Sequence, residues 1–126
     1  MPTEKLLVQI KDHQHFEVWC DGRDYDPEME GYRPIYSYKI VYQDENNEWN
    51  EYIADDVHGA VNEIPNLNAA AQSICAYLYA CQEGYLNDPE HKKENATLFP
   101  PEVREWAYQF ADEISMKALE LERESL

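Results

Sequence analysis

The chain is poor in what reactive chemistry requires. Its 126 residues include only four glycines, Gly22, Gly31, Gly59 and Gly84, too scattered for a loop that cradles phosphates. No G-x-S-x-G occurs, and no cysteine stands in a recognisable nucleophile context. Asp55, Asp56 and His58 offer acid–base groups near a strand end, but capping of a helix start by acids explains them more simply. No run approaches the roughly 20 apolar residues that span a bilayer. The opening Met1–Lys5 lacks the basic, apolar and cleavage regions of a secretory leader. Cys20, Cys75 and Cys81 are an odd, sparse set, which suits reduced thiols in a cytoplasm rather than a disulfide framework. The expectation is a cytoplasmic, non-enzymatic protein with no catalytic residue, no cofactor, no metal and no membrane contact.

Bases are the other shortage. Lysine and arginine number 10 against 26 acids, a formal net charge of −16, and neither base occurs between Ile40 and His91. Such a chain repels nucleic acid and anionic membrane and is drawn to basic surfaces. Residues 21–30 hold Asp21, Asp24, Asp26, Glu28 and Glu30 against Arg23 alone. Residues 44–56 hold Asp44, Glu45, Glu48, Glu51, Asp55 and Asp56 with no base. Solubility accounts for scattered acids, but ordinary surfaces interleave both signs. The composition does not read as disorder, since hydrophobic residues reach 44% and there are ten tyrosines.

The pattern along the chain predicts α+β. Leu6–Ile10 is a short apolar run, and from His15 the residues Phe16, Val18 and Cys20 alternate with Glu17 and Trp19, as in a half-buried strand. A loop of about a dozen residues is expected next, closed by Gly31 and Pro34. Ile35–Tyr42 is rich in β-branched and aromatic residues, the turn residues Asp44–Asn47 follow, and Trp49–Ala54 returns as its hairpin partner. A short turn is expected over His58–Ile64. Asn66 or Asn68 then caps a helix reaching about Gln82, with Gly84 as its stop. Asn87–Leu98 reads as a polar connection. Pro100-Pro101 opens a final helix whose apolar stripe is Val103, Trp106, Ala107, Phe110, Ile114, Ala118 and Leu121. The expected architecture is a single domain over residues 1–126, strand-rich over 1–56 and helical over 57–126. Its antiparallel sheet of about four strands, in two hairpins, packs against two C-terminal α-helices.

Metal sites are poorly supported. Asp44, Asn46 and Glu48 have the spacing of an EF-hand loop, but Trp49 occupies the position that needs glycine. His13, His15 and Glu17 would share a strand face, yet His13 falls in a turn. Cys75 and Cys81 point to different sides of a helix and read as core.

The charge therefore carries the functional reading. Asp24, Asp26, Glu28 and Glu30 recur every second residue, and extended backbone would set them about 6–7 Å apart, on the order of phosphate spacing. Tyr25, Tyr32, Tyr42, Trp49 and Tyr52 lie within or beside these segments as aromatic anchors among the acids, Tyr25 and Trp49 foremost. The expected partner-binding residues are Asp24, Asp26, Glu28, Glu30, Asp44, Glu45, Glu48, Asp55, Asp56, Tyr25 and Trp49. The expected partner is a basic protein, such as a nucleic-acid-binding enzyme, inhibited by a carboxylate-rich face that mimics nucleic acid. Small size, excess acid, many tyrosines and no catalytic motif make a profile similar in style to the anti-restriction and anti-CRISPR inhibitors of phages and plasmids. That likeness is compositional and carries over no residue. Two alternatives remain: a small-molecule or nucleotide-derivative binder with a pocket lined by Tyr36, Tyr38, Trp106 and Tyr108, and an accessory protein that forms homodimers through the last helix or an exposed strand.

Overall fold

The computed structural model describes residues 5–63 and 66–124. Met1–Glu4 at the chain start and Ile64, the end of the expected short turn, lie outside them. Four strands, β1 (Lys5–Lys11), β2 (Gln14–Asp26), β3 (Gly31–Gln43) and β4 (Trp49–His58), form one antiparallel meander in chain order. Three helices follow, α1 (Leu67–Asn87), α2 (Lys92–Leu98) and α3 (Pro101–Glu124). This is the α+β arrangement that the residue pattern predicts. No helix among the described residues is long and apolar enough to cross a membrane.

Alternation decides which sheet face meets the helices. Val8, Phe16, Val18, Tyr36, Tyr38 and Ile40 all point to one side and pack on Ala71, Ile74, Cys75 and Leu78 of α1 and on Val103, Ala107, Phe110 and Ile114 of α3. Burying such side chains stabilises the fold by roughly 1.5–3 kcal/mol each for the larger ones. The stripe expected on α3 is the buried one, except that Leu121 remains 37% exposed near the helix end. Cys75 is wholly buried, and burial pushes its thiol up to about 12, which makes it inert.

Three local expectations need correction. The dozen residues after Cys20 are not a loop: β2 and β3 stay paired from His15↔Val41 to Asp26↔Gly31, and only residues 27–30 turn. Gly22, at φ 135, and a register shift between Cys20 and Gly22 let Asp21 bulge without ending the ribbon. Gly84 does not stop α1, which continues to Asn87; a Cβ there would lie 2.5 Å from the Asn95 amide of α2. Its missing side chain admits α2 rather than breaking α1. The polar connection contains that short helix, an addition to the two long helices that pack on the sheet as expected.

Asn66 is the cap of α1, accepting a hydrogen bond from Ala69 N at 3.1 Å, while Asn68 donates to the Ala118 carbonyl of α3 at 2.6 Å. Arg104, 3% exposed, is the polar element least expected from its place in the apolar stripe. Its Nε donates to Gln82 Oε1 at 3.1 Å, and one terminal nitrogen donates to the Ala96 and Phe99 carbonyls at 2.7 and 2.6 Å. Its guanidinium lies 4.6 Å from the Tyr85 ring centroid. One side chain thus ties α2 and its exit to both long helices.

Candidate acidic binding surface

The turns of the two acid-rich segments sit at opposite ends of β3, while Asp21, bonded to Ser37, lies about midway along it. That strand has 13 residues, so the β2–β3 turn and the β3–β4 turn are separated by roughly 40 Å at ~3.3 Å per residue. Asp24, Tyr25, Asp26, Glu28 and Glu30 belong to the first end; Asp44, Glu45 and Glu48 belong to the second. Asp55 and Asp56 lie on β4, where they bulge opposite Ser37, and Asp56 adopts a left-handed φ of 62. The structure therefore presents two acidic poles rather than one continuous face.

At the first pole the evenly spaced row is interrupted. Asp24 and Asp26 end β2, but Glu28 and Glu30 lie in the turn, with Glu30 at φ 51. Asp26 is occupied in holding that turn: it accepts from Glu28 N at 3.0 Å and pairs with Arg33 Nε at 2.7 Å. Desolvation raises its pKa, but the Glu28 amide, the Arg33 guanidinium and the Met29 amide prevail and hold it below the ordinary value. Tyr25 is 55% exposed and meets Tyr32 edge-on at 5.3 Å. Asp24, Tyr25 and Asp26 border a shallow hollow of ≈ 360 Å³ that also reaches His58.

At the second pole the hairpin faces a helix. Asp44 accepts from Asn46 N at 2.9 Å, Glu48 N at 3.0 Å and Asn50 Nδ2 at 2.8 Å. The Glu48 amide, foremost, and the Asn50 side chain lower its pKa, although slight burial opposes them. These three donors hold the turn closed around the carboxylate. Between this turn and α3 runs a cleft of ≈ 390 Å³, bordered by Asp44, Glu45, Glu102 and Glu105, with Tyr42, Trp106 and Phe110 as its aromatic part. Tyr42 is held above its usual pKa by burial first, then by the negative charges of Glu102 on α3 and Asp44 in the turn. Lys11 Nζ, the cleft's own base, stands 5.1 Å from the Phe110 ring centroid. Among the described residues no base or donor side chain pairs with Glu45, Glu102 or Glu105.

Glu102, Glu105 and Lys11 were not singled out in the sequence, whereas Tyr42 was expected as an aromatic anchor beside the acids. Acids after Pro100-Pro101 read as complements to the helix dipole, and nothing local says that a hairpin turn faces them. Trp49, expected beside these acids, turns to the other side of the sheet and meets His13 edge-on at 5.9 Å.

The remaining candidates are dispersed. Tyr36, Tyr38 and Trp106 are core residues, while Tyr108 is 37% exposed and stacks on Tyr79 at 4.8 Å. Tyr36 and Trp106 border different hollows. His13 lies in the β1–β2 turn at φ 66, while His15 Nε2 is 3.4 Å from Glu17 Oε1. Asp88, Glu90 and His91 are the one group of three potential ligands brought within 4.8 Å among the described residues. The entry into α2 explains them: Asp88 accepts from Glu90 N at 3.2 Å and from His91 Nδ1 at 2.9 Å. The chain matches no known family, no curated protein and no solved structure.

Proposed function

We propose that this protein is a non-enzymatic binder whose acidic poles receive lysine and arginine side chains of a basic protein, of the class that holds nucleic acid. The observation that carries this reading is the cleft between the β3–β4 turn and α3. Carboxylates from two elements converge there over aromatic rings, the combination that suits a cation on an aliphatic stem. Lys11 over Phe110 shows within the chain the kind of contact that a base makes there. The β2–β3 turn, with Asp24, Glu28, Glu30 and exposed Tyr25, supplies a second contact far from the first. Two separated acidic poles suit a partner whose bases are spread along a groove. Occupying that groove would exclude nucleic acid and so inhibit the partner.

Position, rather than total charge, is what distinguishes this proposal from plain solubility. The experiment compares two doubly reversed variants of equal net charge on an immobilised arginine-rich peptide across a salt series. Glu45→Lys with Glu102→Lys alters the cleft; Glu120→Lys with Glu124→Lys alters the far end of α3. The cleft variant is expected to bind at least tenfold more weakly, and the distal variant about as well as the unaltered protein. Equal losses in both would reduce the effect to net charge and overturn the proposed site. A host protein captured at low salt and released by duplex DNA would support the partner class; one that DNA does not release would count against it.

A further inference from the structure

We infer that the helix-free face of the sheet is a self-complementary surface that pairs two copies of this chain. This inference is independent of the acidic cleft. Both long helices pack on the face formed by Phe16, Val18, Tyr38 and Ile40, and no described helix covers the opposite one. That opposite face leaves Leu7 47%, Trp49 45% and Ile53 56% exposed, with Trp19 and Val41 half-buried between them. Large apolar side chains grouped on one side of a sheet mark an interaction surface.

Charge identifies the occupant. The chain carries −16, yet on this face, where Asp21 bonded to Ser37 adds one acid, two lysines balance two glutamates. They form an oblique row with one residue from each strand: Lys5, Glu17, Lys39, Glu51. Neighbours in the row pair at 3.6, 3.6 and 3.8 Å. A basic partner would gain little from a face whose glutamates already pair with its own lysines, and another acidic chain would be repelled more strongly by every other region. A second copy meets the least repulsion here.

The order of the row also sets the geometry. Place a two-fold axis in the plane of the face, perpendicular to the row and midway between Glu17 and Lys39. Lys5 then opposes Glu51 of the second copy, and Glu17 opposes Lys39 of the second copy, each pair occurring twice, as an isologous contact requires. An axis along the row would set like on like. Because the row crosses the strands obliquely, the two sheets would cross steeply, as in orthogonal sheet packing. Four strands at ~4.8 Å and some 20 Å of strand length give a footprint of roughly 400–500 Å² per copy. The combined area, roughly 800–1,000 Å², is small for a specific interface, so the dimer forms and dissociates with concentration. Both acidic clefts stay open on the outer sides, which gives a basic partner two of them to engage at once.

Sedimentation or light scattering over about 5–500 µM tests this. The mass should rise from 14.9 kDa towards twice that value as concentration increases. Ile53→Asp, at an exposed edge-strand position, should weaken association at least tenfold, whereas Met116→Asp, equally charged and 64% exposed on α3, should not. Lys39→Glu should also weaken it, and Glu17→Lys with Lys39→Glu should restore it, because each residue again meets an opposite charge across the axis. Circular dichroism confirms that each variant is folded. A monomer at every concentration overturns the inference, as does a dimer indifferent to Ile53→Asp.

Discussion

Arg104 is a guanidinium with 3% of its surface exposed and, among the described residues, no carboxylate paired with it. Its compensation is three hydrogen bonds, to Gln82, Ala96 and Phe99, and the Tyr85 ring. Replacing Arg104 by Met keeps most of the stem's packing and removes the donors. The charge leaves with them, so its desolvation cost is recovered, but three acceptors lose their donors, at about 1 kcal/mol each. The expected loss is about 2–3 kcal/mol for Arg104→Met, rising to about 4 kcal/mol for Arg104→Ala, which also opens a cavity. For a domain of this size that lowers Tm by roughly 8–16 °C. Urea unfolding followed by tryptophan fluorescence and circular dichroism measures it, with an unchanged slope confirming a pure stability effect. Hydrogen exchange adds a local signature, since α2 should lose protection before the sheet does. A neutral or stabilised Arg104→Met would refute the reasoning, because burial of the charge would then outweigh everything it bonds to.

Two further outcomes follow from the same contacts. Gly84→Ala, which in an open helix would add about 1 kcal/mol, should instead be neutral or destabilising because its Cβ meets Asn95; pairing it with Asn95→Ser should recover part of the helix gain in urea unfolding. The pH dependence has opposite signs at the two kinds of site. Asp44 and Asp26 have folded pKa values below the ordinary value, so their contribution is complete above about pH 4 and disappears as pH falls through the folded pKa. His91 is raised above 6.5, mainly by its hydrogen bond to Asp88, so its contribution is complete below that value and disappears as pH rises through the folded pKa. NMR titration should place His91 above 6.5 and shift it back in Asp88→Asn.

The hairpin of β3 and β4 and the stripe of α3 were legible because alternation and helical spacing are local signals. Gly84 misled because glycine ends helices when it needs a left-handed backbone, whereas here it serves the close approach of α2. The β2–β3 ribbon was hidden because Asp24, Asp26 and Gly22 are poor strand formers, and pairing with Arg33, Gly31 and Ile35 overrides that preference. The acidic segments were visible as composition, but their separation was not. A strand's length converts two neighbouring stretches of sequence into opposite poles. The convergence of Glu102 and Glu105 with the hairpin is a long-range contact that no local pattern encodes.

The meander order has a consequence for synthesis. Each strand pairs with the one just before it, so the sheet can be complete once residue 58 has emerged, while both long helices are still to come. At that moment Phe16, Val18, Tyr38 and Ile40 have nothing against them, and Leu7, Trp49 and Ile53 are exposed on the other side. The acids at its two turns are already present, Glu28 and Glu30 at one and Asp44, Glu45 and Glu48 at the other. Like-charged ends keep nascent sheets apart during the interval when they are most adhesive. The charge then serves the chain before it meets any other protein.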